Sequence, residues 1–310
     1  MTALGRAMLL DHVFQVRFSS WKGLGERPYR IISLVNKYLP VTLLIIFVLG
    51  GCGQKTNDPG GYVDVGGYRL YYETYGSGSP TVIFENGSAA ELTDWEYVAP
   101  EIAKTNKVIL YDRAGLGKSD FGTCPRDAYQ RVAEFNTLLT ALNVNQPFVL
   151  VSHSLGCILS RYYQHLYPGN VLGMIQVDPG HESLLTRAGP AFAAAVHAEV
   201  IAISRNLTPG QLAEALGAFD TWTEVEAASL ESVGNIPLTV IVSTQTQSLV
   251  TDEALNEIGN IAFRELQKEL VGQSPQGKLV TAEGSGHMVQ LEQPQLVIDE
   301  IKAVLAKVVH

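Results

Sequence analysis

Apolar positions recur with two different periods along residues 62–308, and short glycine- and proline-containing stretches separate them. Runs rich in β-branched and aromatic residues predict strands over 63–65, 69–75, 81–84, 107–111, 148–151, 171–177, 238–242 and 278–281. Gly66-Gly67 between the first two predicts a hairpin. Apolar residues three or four apart predict helices over 92–104, 128–142, 155–167, 254–270 and 296–308. The stretch 128–142 shows this most clearly, with Val132, Phe135, Leu138, Leu139 and Leu142 on one face. Pro168-Gly169 ends the helix over 155–167.

Strands that alternate with helices imply an α/β fold, with a mostly parallel central sheet covered by helices on both faces. Residues 181–235 break the alternation. They are helical in pattern and strandless, with breaks at Gly189-Pro190, Pro209-Gly210 and Gly234. They read as a helical lid inserted over one end of the sheet. Leu184, Phe192, Val196, Leu212, Phe219 and Trp222 give it an apolar side, which implies a partly hydrophobic substrate.

The N-terminal stretch follows a different logic. Residues 41–49 form one apolar run, Val-Thr-Leu-Leu-Ile-Ile-Phe-Val-Leu. Bilayer spanning needs about 20 residues, so the run is too short for that. Six Lys and Arg against two Asp and Glu lie within residues 1–51, and Gly50-Gly51-Cys52 closes the apolar run. A basic region, a short apolar region and small residues before a cut site describe a secretory signal peptide. Leu49-Gly50-Gly51-Cys52 resembles the bacterial lipobox. That resemblance implies cleavage before Cys52, lipidation of its thiol and a membrane-anchored lipoprotein of the cell envelope. A secreted or periplasmic protein is the alternative. About 40 residues precede the apolar run, longer than a usual signal peptide, so the upstream stretch is an extension or the start lies further on. Residues 52–61 are polar and breaker-rich and read as a flexible tether, and 62–310 as one catalytic domain.

Composition narrows the function. The formal net charge is −9, and without residues 1–51 there remain 16 basic against 29 acidic side chains. An acidic protein lacks the basic face a nucleic-acid binder needs. Charged residues make up 17% and hydrophobic ones 46%, which argues against a disordered chain. The three cysteines cannot build a disulfide framework, and no His/Cys/carboxylate group has zinc-type spacing, so neither a metal nor another cofactor is expected.

The chemistry centres on Ser152-His153-Ser154-Leu155-Gly156, between an apolar strand and a helix. Small residues two before and two after Ser154 allow the sharp turn of a nucleophile elbow. The turn lifts Ser154 clear of the sheet at a helix N-terminus, where the backbone N–H of Leu155 can face a reacting oxygen. A serine needs a neighbouring base. His153, His165, His181, His197, His287 and His310 follow Cys52. His287, in Gly284-Ser285-Gly286-His287, falls in a loop at the same sheet edge as Ser154 and is the favoured base. The acid that would orient it is Asp178, directly after the strand over 171–177, with Asp252 as the alternative. The second oxyanion donor is expected from the loop Glu85-Asn86-Gly87-Ser88: the Ser88 N–H donates, Gly87 permits close approach, and Asn86 holds the loop.

These segments, together with Tyr111-Asp112-Arg113-Ala114-Gly115-Leu116-Gly117-Lys118-Ser119-Asp120, resemble the α/β-hydrolase superfamily over about residues 62–308. The order Ser154, Asp178, His287 matches that family's nucleophile–acid–base order. The usual place for the acid is after the strand over 238–242, where this chain reads Ser243-Thr244-Gln245-Thr246-Gln247. Two further departures are Ser152 for the more usual glycine and Asn86 where many members carry histidine. The resemblance implies a serine esterase or lipase-like enzyme acting on a small-molecule ester. Amidase, peptidase or acyltransferase chemistry on the same triad is an alternative. A non-catalytic ligand-binding protein of the same fold is an alternative of another class.

Overall fold

The structure is a computed structural model, which describes residues 60–124 and 126–308. The expected signal peptide and Cys52 fall outside the described residues, as does His310.

Eight strands form one sheet: β1 Gly60–Asp64, β2 Arg69–Tyr75, β3 Val82–Glu85, β4 Val108–Tyr111, β5 Phe148–His153, β6 Val171–Val177, β7 Leu238–Ser243 and β8 Gly277–Ala282. Their order is β1-β2-β4-β3-β5-β6-β7-β8. The pairs β1–β2 and β2–β4 are antiparallel, and the other pairs are parallel. The helices are α1 Ala99–Ile102, α2 Ala128–Ala141, α3 Leu155–Leu166, α4 Leu184–Ala188, α5 Pro190–Ala202, α6 Pro209–Ala227, α7 Glu253–Leu270, α8 Val289–Glu292 and α9 Pro294–Val308.

Strand and helix positions follow the sequence pattern to within a few residues, with one exception. The segment 92–104 is a short 3-10 turn, Leu92–Trp95, followed by α1. Pro100 explains the break: without an N–H it fits only the first turn of a helix, so a new helix begins at Ala99.

The inner strands are buried on both faces. Val82 and Phe84 of β3 enter one core while Ile83 enters the other. Likewise Val149 and Val151 of β5 oppose Phe148 and Leu150. One core is covered by α2 and α3, through Phe135, Leu138 and Ile158. The other is covered by α1 and α9, through Ile102, Val297 and Ile301.

Parallel register brings the strand ends together. Glu85 pairs with Ser152, Ser152 with Gln176, Val177 with Ile241, and Ser243 with Ala282. The loops that follow β3, β5, β6, β7 and β8 therefore leave the sheet side by side at one edge, where open α/β sheets place their ligands.

The helices α4, α5 and α6 lie between β6 and β7, where the sequence is strandless. Proline at the first turn and a Thr208–Gln211 capping box start α6. Leu184 and Phe192 do not face open space. They pack with Val250, Phe263 and Leu266 into a small core between the insertion and α7.

Candidate active site

Ser154 joins β5 to α3 with φ 51° and ψ −119°, a conformation side chains other than glycine rarely adopt. Its backbone carbonyl accepts N–H bonds from Cys157 and Gly180, each at 3.0 Å. A Cβ on Gly156 would collide with the Asn86 carbonyl oxygen, which explains a glycine two residues after the turn. Two residues before it, Ser152 is fully buried and its hydroxyl is satisfied by the Ser160 hydroxyl at 3.0 Å. A serine is therefore accommodated where glycine is usual.

His287 Nε2 lies 2.9 Å from Ser154 Oγ, and His287 Nδ1 lies 2.6 Å from Asp178 Oδ2. A carboxylate can only accept, so Nδ1 carries the proton and donates to Asp178. In the neutral ring Nε2 is then the acceptor for the Ser154 hydroxyl. The His287 side chain is 33% exposed, while that of Asp178 is fully enclosed.

Asp178, at φ 39°, follows β6 directly. Its Oδ1 accepts the Ser243 N–H at 2.9 Å and the Gln267 side-chain amide at 3.0 Å. Burial pushes its pKa up. The hydrogen bond and charge of His287, with the Ser243 and Gln267 donors, outweigh that and hold the carboxyl below its ordinary value. The end of β7 thus serves the site through a backbone N–H rather than a carboxylate.

Asp252 stands apart from this chain of bonds. It is exposed at the N-terminus of α7, where its carboxylate caps the helix by accepting the Leu255 N–H at 2.9 Å. His165 lies against Tyr162 and His197 against Phe219, while His181 accepts the Ser183 N–H.

The loop after β3 packs against the elbow. A Cβ on Gly87 would sit 2.7 Å from His153 Nδ1, so only glycine lets the loop approach this closely. Asn86 donates its amide to the Tyr111 carbonyl and accepts the Trp95 indole N–H, both at 2.8 Å. Among the described residues, no acceptor takes the backbone N–H of Ser88 or of Leu155.

Several supporting residues are not evident from sequence motifs. His153 is buried beside the elbow, its ring 4.6 Å from that of His287. Gln267 is a polar residue on the apolar stripe Phe263, Leu266, Leu270 of α7, and that misplaced polarity is its sequence signal. Arg113 and Glu214 are fully buried and paired although 101 residues apart, and no sequence period connects them. A cleft of about 460 Å³ opens between Gly115–Gly117 and Pro209–Gln211, and Ser154, His287 and Asp178 do not line it.

Residues 82–300 match the model of the alpha/beta hydrolase family. The chain belongs to that family and is an enzyme of that kind. Among curated relatives, the uncharacterized protein YqjL of Bacillus subtilis (strain 168) is 24% identical over 234 residues, covering 72% of this chain and 82% of its own. Cfl2 from Burkholderia cenocepacia superposes with a TM-score of 0.63 at 19% identity, over 79% of this chain and 94% of that one. A thermophilic esterase from Thermogutta terrifontis superposes with a TM-score of 0.60 at 20% identity, over 78% and 94%. These structural likenesses establish the shared fold.

Proposed function

We propose that the protein is a serine hydrolase that cleaves a small, partly hydrophobic carboxylic ester through an acyl-enzyme. The reading rests on the hydrogen-bonded sequence Asp178–His287–Ser154, with Nε2 2.9 Å from Oγ. His287 takes the Ser154 proton as Oγ attacks the ester carbonyl. The oxyanion is held by the N–H groups of Leu155 and Ser88. His287 then gives its proton to the departing alkoxide, and the alcohol leaves. His287 deprotonates a water, which attacks the acyl-enzyme, and then gives that proton to the departing Ser154 Oγ, so the carboxylic acid leaves and the serine and the neutral ring are restored. Asp178 stays ionised and steadies the imidazolium at each transfer.

A fluorophosphonate probe should label the wild-type protein at Ser154 and leave Ser154→Ala unlabelled. Labelling that persists at another residue would overturn the assignment. A panel of esters, amides and lactones of graded chain length separates ester cleavage from amidase or acyl-transfer chemistry. Absence of both labelling and turnover would favour a ligand-binding role.

Export and lipidation at Cys52, on the pattern of residues 41–52, form the second part of the proposal. Labelled palmitate should be incorporated by the wild type and not by Cys52→Ala.

A further inference from the structure

Arg113 stands on the loop after β4, fully buried beneath the loop that follows β3. All five of its N–H donors are engaged. Nη1 donates to the Glu85 carboxylate and, at 2.7 Å, to the Asn86 carbonyl. Nη2 donates to the Gly87 carbonyl at 2.5 Å and to Glu214 Oε1 at 2.6 Å, and Nε donates to the same oxygen at 2.8 Å. The guanidinium thus grips two consecutive carbonyls of the oxyanion loop on one side and a carboxylate of α6 on the other. Glu214 is itself enclosed, with Arg131 Nη2 3.2 Å from its second oxygen. Gly210 of α6 abuts Gly115, on the same loop that carries Arg113.

We propose that Glu214 is a positioning residue for the oxyanion loop: the inserted helix α6 sets the Ser88 N–H through Arg113, so the seating of the insertion governs oxyanion stabilisation. The chemistry of the link is directional. A guanidinium is rigid and planar, so a carboxylate fixed at Nε and Nη2 fixes where Nη1 and Nη2 point. Peptide planarity then carries that constraint from the Asn86 and Gly87 carbonyls to the N–H groups of Gly87 and Ser88. Without Glu214, two buried donors of Arg113 lack an acceptor, and the side chain must turn away from the loop to satisfy them. The catalytic part of this inference rests on the serine-hydrolase reading, whereas the mechanical link from α6 to the loop does not.

The test compares Glu214→Ala, Glu214→Gln and Glu224→Gln with the wild type in two measurements. Glu224 ties α6 to the core elsewhere, by accepting the N–H groups of Ala128 and Tyr129. Steady-state kinetics on a p-nitrophenyl ester should show kcat lowered on the order of tenfold to a hundredfold in Glu214→Ala, a part of the 10²–10³ a lost oxyanion donor costs. KM should stay within about twofold, Glu214→Gln should recover most of kcat through its remaining acceptor oxygen, and Glu224→Gln should match the wild type. Hydrogen exchange should rise over residues 86–90 in Glu214→Ala and remain unchanged over 284–288. A raised KM with kcat retained would overturn the proposal, since that is what a merely loosened insertion produces. Unchanged exchange over 86–90 would overturn the mechanical link even if the protein proved to lack hydrolase activity. Should Glu214→Ala fail to fold, Glu214→Gln against Glu214→Asp gives the same contrast, the shorter side chain showing the larger loss of kcat.

Discussion

His153 donates its Nε2–H to the backbone carbonyl of His287 at 2.9 Å, so the residue beside the proposed nucleophile holds the loop that carries the proposed base. A carbonyl only accepts, so Nε2 carries the proton and Nδ1 keeps its lone pair, buried without a partner. Replacing His153 by Phe keeps a ring in the space and removes the donor. Small misplacements of a catalytic group are costly, and kcat should fall by about 10- to 100-fold while the fold persists. Kinetics alongside circular dichroism check this.

Burial, and then the charge of His287, lowers the His153 pKa to about 3. Burial likewise lowers His181 to about 4. Between these values and the ordinary histidine pKa of about 6.5, the unfolded chain binds more protons than the folded one. Stability contributed by these neutral rings is therefore complete above pH 6.5 and is lost as the pH falls. Urea unfolding from pH 7 to pH 4 should show a steep decline that is shallower in His153→Gln. Equal slopes would refute the assignment.

The acid is tested by two substitutions. Asp178→Asn should lower kcat by about 10⁴, because the amide no longer selects the productive tautomer of His287. Asp252→Asn keeps a side chain able to cap α7 and should leave kcat unchanged and shift stability by less than about 1 kcal/mol. Comparable rate losses in the two variants would leave neither as the orienting acid.

Gln267→Leu removes one of the donors that hold the Asp178 carboxyl low. The Asp178 pKa should rise, and the protein should lose about 1–3 kcal/mol at pH 7, as a buried acceptor loses its partner. Because a depressed carboxyl stabilises the fold above its unfolded pKa, that loss should narrow as the pH falls below about 4. Denaturation at pH 7 and pH 3.5 measures both points.

Gly87→Ala places a methyl group 2.7 Å from His153 Nδ1. Either the ring or the loop must give way. The rate of fluorophosphonate labelling should fall by about tenfold or more, with the loss in kcat rather than KM.

The periods of apolar residues determine the strands, the helices, the insertion between β6 and β7, and hence the α/β class, because burial on one or two faces leaves a local imprint. Ser154 is legible for the same local reason: a sharp strand-to-helix turn demands small neighbours, and those neighbours are adjacent in the chain. His287 and Asp178 are legible by their places after β8 and β6. The sequence already favours Asp178 over Asp252, and the fold adds that Asp178 lies against His287 while Asp252 caps α7. Both carboxylates follow a strand, and the parallel register sets the end of β6 beside Ser154, while Asp252 caps a helix. The break near Pro100 could also have been taken from sequence, since proline limits where a helix begins.

The supports of the site belong to tertiary structure alone. Arg113 and Glu214 meet across 101 residues, and His153 reaches the His287 carbonyl across 134. Hydrogen bonds of that range leave no periodic trace, because each partner's position depends on how separate elements pack. The chain's own pattern determined which elements form and which side chains are candidates for the chemistry. Packing alone decided which buried groups hold those side chains in place.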